Sequence, residues 1–228
     1  MSTVAEIWHT IAPYVIPPSA AGIAVIPVFY GFELKSAKQL SLPSPKFSLV
    51  SGFKAAPTVG AIFGTQMIAQ KAMEKLLMEG KSADFNSILL SSIFVGAVSA
   101  PALAVFNGQT IKKRGIESLR ALSAKQSGAI ITREISFLFS IRISRYASDS
   151  MHHCFEPGKH IEYGSTFVTG AIGSFIGHPA DTALTLWQKR IKISSINTLL
   201  KGAGIKSVTI GSFACLYKGI SEFLENIY

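Results

Sequence analysis

The stretch GAIGSFIGHP, residues 170–179, is a glycine-rich apolar run that ends in a proline. Two other stretches have the same form: AAGIAVIP at residues 20–27 and FVGAVSAP at residues 94–101. Their final prolines follow one another at intervals of 74 and 78 residues, which indicates an internal triplication. Each unit is long enough for two membrane helices. We therefore expect a bundle of six helices with threefold pseudosymmetry.

The composition favours a membrane protein over a soluble one. Hydrophobic residues make up 48% of the 228 residues and charged residues only 15%, whereas soluble domains carry about 25% charge. The net charge of +9 must then lie mainly at loops and helix ends, where the lipid bilayer offers anionic headgroups. A nucleic-acid-binding protein needs a basic face on a soluble body, so we expect no nucleic-acid partner.

Hydropathy predicts three strong and three weak membrane spans, since a spanning helix needs roughly 20 mostly apolar residues. The strong spans lack Asp, Glu, Lys and Arg and lie between residues 6 and 33, 84 and 112, and 162 and 181. The weak spans contain ionisable residues and lie at about 55–77, 135–152 and 207–224. The predicted fold is an all-α membrane protein with six transmembrane helices. It forms one domain, with repeats at about 10–80, 82–155 and 160–228.

The repeated prolines are expected to kink the odd-numbered helices; they are Pro27, Pro101 and Pro179. Glycines before them, among them Gly173, are expected to allow close helix packing. A basic cluster follows each proline, so all three clusters fall on one side of the membrane. They are Lys35 and Lys38; Lys112, Lys113 and Arg114; and Lys189, Arg190 and Lys192. Two interpretations stay open for these clusters: lipid binding, or solvated helix ends.

The segment HPADTALTLWQ, residues 178–188, resembles the signature of the mitochondrial carrier (solute carrier) family. That signature has a proline, an acid two positions later, two basic residues and often a glutamine. Here Asp181 and Gln188 occupy the acid and glutamine positions. The chain is similar to a short and divergent member of this family, with the three repeats covering nearly its whole length. The resemblance implies a multi-pass protein of the mitochondrial inner membrane. It also implies bound cardiolipin at the family's pattern of an apolar residue, a base and glycine: Leu200, Lys201 and Gly202.

The chain departs from the family at both gates. The carriers close each end with a ring of inter-helix salt bridges. At the first gate only Asp181 remains as an acid, and apolar residues fill the other charged positions: Phe29, Phe32, Leu103, Phe106, Leu184 and Leu186. At the second gate only Asp149 remains as an acid. Neither ring is complete, so we expect neither gate to work as in the carriers.

Four cations are candidates for solute binding. Arg142 and Arg145 share one helix face with Asp149, because they are spaced by three and four residues. The resemblance turns that face toward a central cavity. Lys54 and Lys206, each 27 residues after a repeated proline, match two of the family's substrate contact positions. These cations would bind a carboxylate or phosphate. The alternative is structural: an intrahelical pair on the first face, and lysines that snorkel to the interface.

Catalysis is not expected, because the chain has no P-loop, dinucleotide motif or nucleophile–base pair. No metal site and no cofactor are predicted apart from bound cardiolipin. Two functions stay open. The first is a non-transporting structural or accessory subunit of a larger inner-membrane complex, for example a respiratory complex. The second is transport of a small anionic metabolite by alternating access. The incomplete gates favour the first.

Overall fold

The computed structural model describes residues 2–36, 42–78, 84–110, 115–120, 122–152 and 158–227. Throughout these residues the only regular secondary structure is helical, which confirms the all-α prediction. The helices are α1 (Ser2–Ser36), α2 (Pro45–Met78), α3 (Phe85–Thr110), α4 (Gly115–Arg120), α5 (Ala124–His152), α6 (Lys159–Gln188), α7 (Ile196–Leu200) and α8 (Ala203–Glu225). Six of them are long, as expected, and the short helices α4 and α7 were not predicted.

The six long helices form a closed ring. Helix α1 packs on α2, α2 on α3, α3 on α5 and α5 on α6; α6 packs on α8, and α8 returns to α1. The short helices lie outside this order, with α4 against α3 and α7 against α6. A closed ring leaves a central axis that all six helices can line. The threefold repeat stays a prediction.

Three stretches in the described part of the chain are long and apolar enough to cross a membrane: Glu6–Leu34, Phe85–Phe106 and Ile196–Glu225. The first two coincide with predicted strong spans. The third contains a span that was predicted to be weak, whereas the predicted strong span at residues 162–181 is not among them. That segment lies in α6, whose many Gly, Ser and Thr residues lower its mean hydropathy.

Helix α6 shows how the bundle is packed. Its small and polar residues face inward, and Ser165, Gly170 and Ser174 are buried. Its large apolar residues face outward, with Ile172 and Ile176 more than half exposed. A soluble helix buries its apolar stripe instead. Small residues at helix contacts and apolar side chains on the outside are typical of helices packed in lipid, and these features are those of a membrane protein.

Close approach between helices depends on particular glycines. A Cβ atom on Gly64 of α2 would lie 2.5 Å from the Cα atom of Pro18 on α1. A Cβ atom on Gly173 of α6 would lie 2.2 Å from Ser140 on α5. Both distances are too short for any larger residue, so these helices pack backbone against backbone. The role expected for Gly173 is therefore a packing role.

The repeated prolines lie inside helices: Pro27 in α1, Pro101 in α3 and Pro179 in α6. None of them ends its helix, and the predicted kinks stay a prediction. Of the basic clusters, the segment 112–114 and residue 38 lie outside the described residues. The third cluster follows the end of α6, where Lys189, Arg190 and Lys192 are exposed.

Candidate functional site

The ring of helices encloses a cavity, cavity A, with a volume of about 530 Å³. All six long helices contribute to its walls, through the second halves of α1, α3 and α6, the first halves of α5 and α8 and the middle of α2. The lining is mainly apolar. Six phenylalanine side chains are part of it: Phe29, Phe32, Phe63, Phe106, Phe137 and Phe213. Cavity A has the volume of a site for one small organic molecule.

A second cavity, cavity B, has a volume of about 480 Å³. It is lined by the first halves of α1 and α6 and by the second halves of α2, α5 and α8, so it lies at the opposite end of the bundle. Its lining is more polar than that of cavity A. Residues at this end include His9, Lys71, Arg142, Lys218 and Glu222.

An aromatic layer separates the two cavities. Phe63 of α2 is the centre of this layer, with its ring centroid 5.4 Å from that of Phe137 on α5 and 5.3 Å from that of Phe213 on α8. Tyr217, one turn further along α8, lies 5.0 Å from Phe63 edge to face. Phe63 and Phe213 are 4% and 3% exposed. Three helices therefore close the axis of the bundle with packed rings.

One wall of cavity A carries four charged side chains that neutralise one another. The carboxylate of Asp181 accepts from Arg133 Nη1 at 3.1 Å and lies 2.8 Å from Lys206 Nζ. Arg133 also pairs with Glu134 at 2.7 Å. All four side chains are at most 15% exposed. Asp181 thus has two cationic partners, one on α5 and one on α8. The sequence analysis found no basic partner for it in the segment 178–188.

Glu33 is a fifth ionisable side chain in the lining of cavity A. Its carboxylate accepts a hydrogen bond from the hydroxyl of Ser48 on α2. Ser48 is 2% exposed, so this bond joins α1 to α2 in a buried position. The carboxylate of Glu33 is therefore anchored to the wall of the cavity.

Helix α2 carries a line of buried polar side chains at intervals of four residues: Gln66, Gln70 and Glu74. Gln66 donates to Ser99 on α3 at 2.9 Å and to Glu134 on α5 at 3.1 Å. Gln70 donates to Ser92 at 2.7 Å. This line of polar groups runs along α2 between the levels of the two cavities. Its spacing of four residues is visible in the sequence, yet sequence reasoning missed it as a set.

The polar line ends near cavity B in an ion pair. The carboxylate of Glu74 accepts hydrogen bonds from Nε of Arg142, at 3.0 Å, and from Nη2 of the same residue, so the ion pair is bidentate. Ser91 on α3 also donates to Glu74, at 3.4 Å. On the other side of the cavity Lys218 lies 2.7 Å from Glu162. Arg142 and Lys218 of cavity B are therefore held by carboxylates, as Arg133 and Lys206 of cavity A are.

The structure does not bring the four predicted solute-binding cations together. Lys206 lines cavity A and Arg142 lines cavity B. Lys54 and Arg145 are exposed, and neither lines either cavity. Asp149, the predicted gate acid, is exposed as well. The helix face predicted from Arg142, Arg145 and Asp149 thus does not line one cavity as a unit.

The remaining predicted site residues lie at the end of α6 and between α7 and α8. Gln188 is the last residue of α6. Leu200 and Lys201 are exposed, and the carbonyl of Lys201 lies 3.0 Å from Nε2 of His178. Gly202, the residue that precedes α8, has a φ of 81°, a backbone conformation that favours glycine. This glycine therefore has a conformational role, whether or not lipid binds beside it.

The described residues contain no group of three or more His, Cys, Asp or Glu side chains that could hold a metal ion. The side chains of residues 152–157, which include two of the histidines and a cysteine, lie outside that set. The chain matches no protein-family model, no curated protein and no solved structure. The class that the fold and the two cavities define is a helical membrane protein, and the likeness to mitochondrial carriers stays a prediction.

Proposed function

We propose that this protein is a non-transporting structural subunit of a larger complex in the mitochondrial inner membrane. The observation that carries the proposal is the aromatic layer, which closes the bundle between cavities A and B. The proposed organelle rests on the resemblance of the segment 178–188 to the carrier signature. The proposed partners are other membrane proteins of the complex, and cardiolipin is the proposed bound lipid.

The aromatic layer opposes alternating access. A carrier that works by alternating access must open both ends in turn around one central site. Here the centre holds packed rings, and Phe63 alone makes three ring contacts. Each such contact contributes about 0.5–1.5 kcal/mol beyond the burial of area. Opening the axis would have to separate these rings, which come from three different helices.

The paired charges oppose capture of an anion. Arg133 and Lys206 in cavity A and Arg142 and Lys218 in cavity B are bonded to carboxylates at 2.7–3.1 Å. A carboxylate or phosphate solute would compete with these partners for Lys206 or Arg142. Removing one partner of a buried ion pair costs about 3–5 kcal/mol, which lowers the affinity that a solute could reach. The same ion pairs link α5 to α6, α6 to α8 and α2 to α5. They stabilise the packing of the bundle, which is what a structural subunit requires.

Native electrophoresis of mitochondrial membranes in mild detergent tests the proposal. Mass spectrometry then follows the chain through the gel. We expect it to co-migrate with a large complex and to stay with that complex after a second purification step. Migration of the chain near its own mass, with no partner in stoichiometric amount, would contradict the structural role.

Transport of a small anionic metabolite is the second candidate, because two cavities open toward opposite ends of one bundle and each contains a cation. Uptake by liposomes that contain the purified protein separates the two functions. The structural role predicts uptake equal to that of empty liposomes. Transport predicts uptake that the substitution Lys206→Met abolishes. Lys54→Met is the matched control, because Lys54 is exposed and lines neither cavity.

A further inference from the structure

Ser174 in the wall of cavity A has a hydroxyl group without a hydrogen bond among the described residues. The residue is 4% exposed. Other hydroxyls on α6 behave differently: Ser165 donates to the carbonyl of Ile161 at 2.7 Å, and Thr166 donates to that of Glu162 at 2.8 Å. Buried polar groups are nearly always hydrogen-bonded. A buried hydroxyl that lines a cavity and has no protein partner indicates a partner that the cavity holds.

The walls around this hydroxyl select an apolar and ring-shaped partner. Phenyl rings line the cavity from α1, α2, α3, α5 and α8, and aliphatic residues such as Val59 and Ile210 fill the space between them. Phenyl rings attract another flat ring in offset-stacked or edge-to-face arrangements. A volume of about 530 Å³ suits one such ring with part of an aliphatic tail.

The charges of the lining exclude an anion as the preferred partner. Three carboxylates line cavity A against two cations, so the lining has a formal excess of one negative charge. Both cations, Arg133 and Lys206, are bonded to Asp181. An uncharged partner leaves all of these pairs intact and loses no hydration of its own charge.

From these three observations we infer that cavity A binds an uncharged lipophile with a ring and a ring carbonyl, the chemistry of a membrane quinone. The carbonyl oxygen accepts a hydrogen bond from Ser174 Oγ, and the ring packs between the phenyl groups. The inferred role is binding alone, with no electron transfer. This site goes beyond the proposed function and does not depend on it.

The test uses the full-length protein in discs of phosphatidylcholine and a tritiated decyl-substituted benzoquinone as the probe. We expect saturable binding of one probe per protein. The substitution Ser174→Ala should weaken it by about twofold to tenfold, the usual range for one neutral hydrogen bond. Ser140→Ala is the matched control. Ser140 is also buried, but it donates to the carbonyl of Phe137 at 2.7 Å and does not line the cavity.

Thermal stability without the probe separates a ligand-binding hydroxyl from a structural one. Because the hydroxyl of Ser174 has no hydrogen-bond partner among the described residues, Ser174→Ala should leave the unfolding temperature unchanged or raise it. Equal binding to the wild type and to Ser174→Ala would overturn the inference. So would the absence of saturable binding, or equal competition by decylbenzene, which lacks carbonyls. None of these results depends on whether the chain migrates with a larger complex, so the two proposals fail independently.

Discussion

The substitution Asp181→Asn removes the charge that holds the wall of cavity A together. Asp181 is the carboxylate that both Arg133 and Lys206 contact, at 3.1 and 2.8 Å. The amide of asparagine has nearly the same shape and can still accept a hydrogen bond. It cannot balance the two cations, which lie in an apolar cavity with little exposure.

The size of the effect on the free energy of unfolding follows from the ion pairs that Arg133 and Lys206 make. Arg133 keeps its second carboxylate partner, Glu134, at 2.7 Å. Lys206 is buried at 8% exposure, and its Nζ atom lies 2.8 Å from the carboxylate of Asp181. Breaking one buried pair by removing a single partner costs about 3–5 kcal/mol, which is the expected drop in the free energy of unfolding.

Unfolding in mixed micelles with increasing sodium dodecyl sulfate measures this free energy. Asp149→Asn is the matched control, because it makes the same chemical change at an exposed carboxylate. We expect a change below about 0.5 kcal/mol there. The double variant Asp181→Asn with Lys206→Met removes both charges of the pair. It should recover about 0.5–3 kcal/mol of the loss, the range of coupling between residues in contact.

A loss for Asp181→Asn no greater than that for Asp149→Asn would refute this reasoning. It would mean that the charges on the wall of cavity A are solvated well enough not to need one another. Strict additivity of the Asp181 and Lys206 substitutions would refute the pairing itself. Either result would also weaken the argument that the cations are unavailable to an anionic solute.

Two further predictions concern helix packing and a helix end. Gly64→Ala should destabilise the protein by about 1–3 kcal/mol, because the Cβ atom of the alanine would lie 2.5 Å from Pro18. Gly128→Ala is the control, because a Cβ atom there has open space around it. This control should be neutral or stabilising in the same detergent titration. At the start of α3 the backbone N–H of Ser87 donates to the side chain of Asp84 at 2.7 Å, which lowers the pKa of that carboxyl below its ordinary value. This contribution to stability is complete above about pH 4, the ordinary pKa range of Asp, and is lost as the pH falls through the lowered pKa. Backbone amides in the first turn of α3 should therefore lose protection from hydrogen exchange as the pH falls, and the Asp84→Ala variant should lack this pH dependence. Equal protection in the wild type and in Asp84→Ala at neutral pH would contradict this prediction.

The sequence predicted the helices well because the signals for them are local. Long stretches without charge mark α1 and α3, and proline spacing suggested the number of long helices. The predicted span at residues 162–181 lies within the long helix α6. It is not among the stretches apolar enough to cross a membrane, because inward-facing glycine and hydroxyl residues reduce the mean hydropathy of this helix. The length of a segment and its lack of charge are properties of that segment alone. Which face of the helix contacts lipid depends on the helices that pack against it.

The candidate site was largely hidden from the sequence. Lys54 and Lys206 each lie 27 residues after a proline, Pro27 and Pro179, yet the first is exposed and the second is buried in an ion pair. Arg133 and Asp181 are 48 residues apart, and no periodicity links them. Ser174 is one of two serines on α6, and among the described residues its hydroxyl lacks a hydrogen bond such as the one that Ser165 makes. Such distinctions depend on which helices are neighbours.

Local composition and spacing were sufficient to specify an all-helical chain with apolar stretches of membrane length, since helix formation and hydropathy act over a few turns of one segment. The closure of the ring, the aromatic layer around Phe63 and the pairing of Asp181 with cations from two other helices came from packing in three dimensions. Their physical reason is burial: a charge or a hydroxyl in an apolar interior must find its partner across space. The sequence order of the helices does not say where that partner will lie.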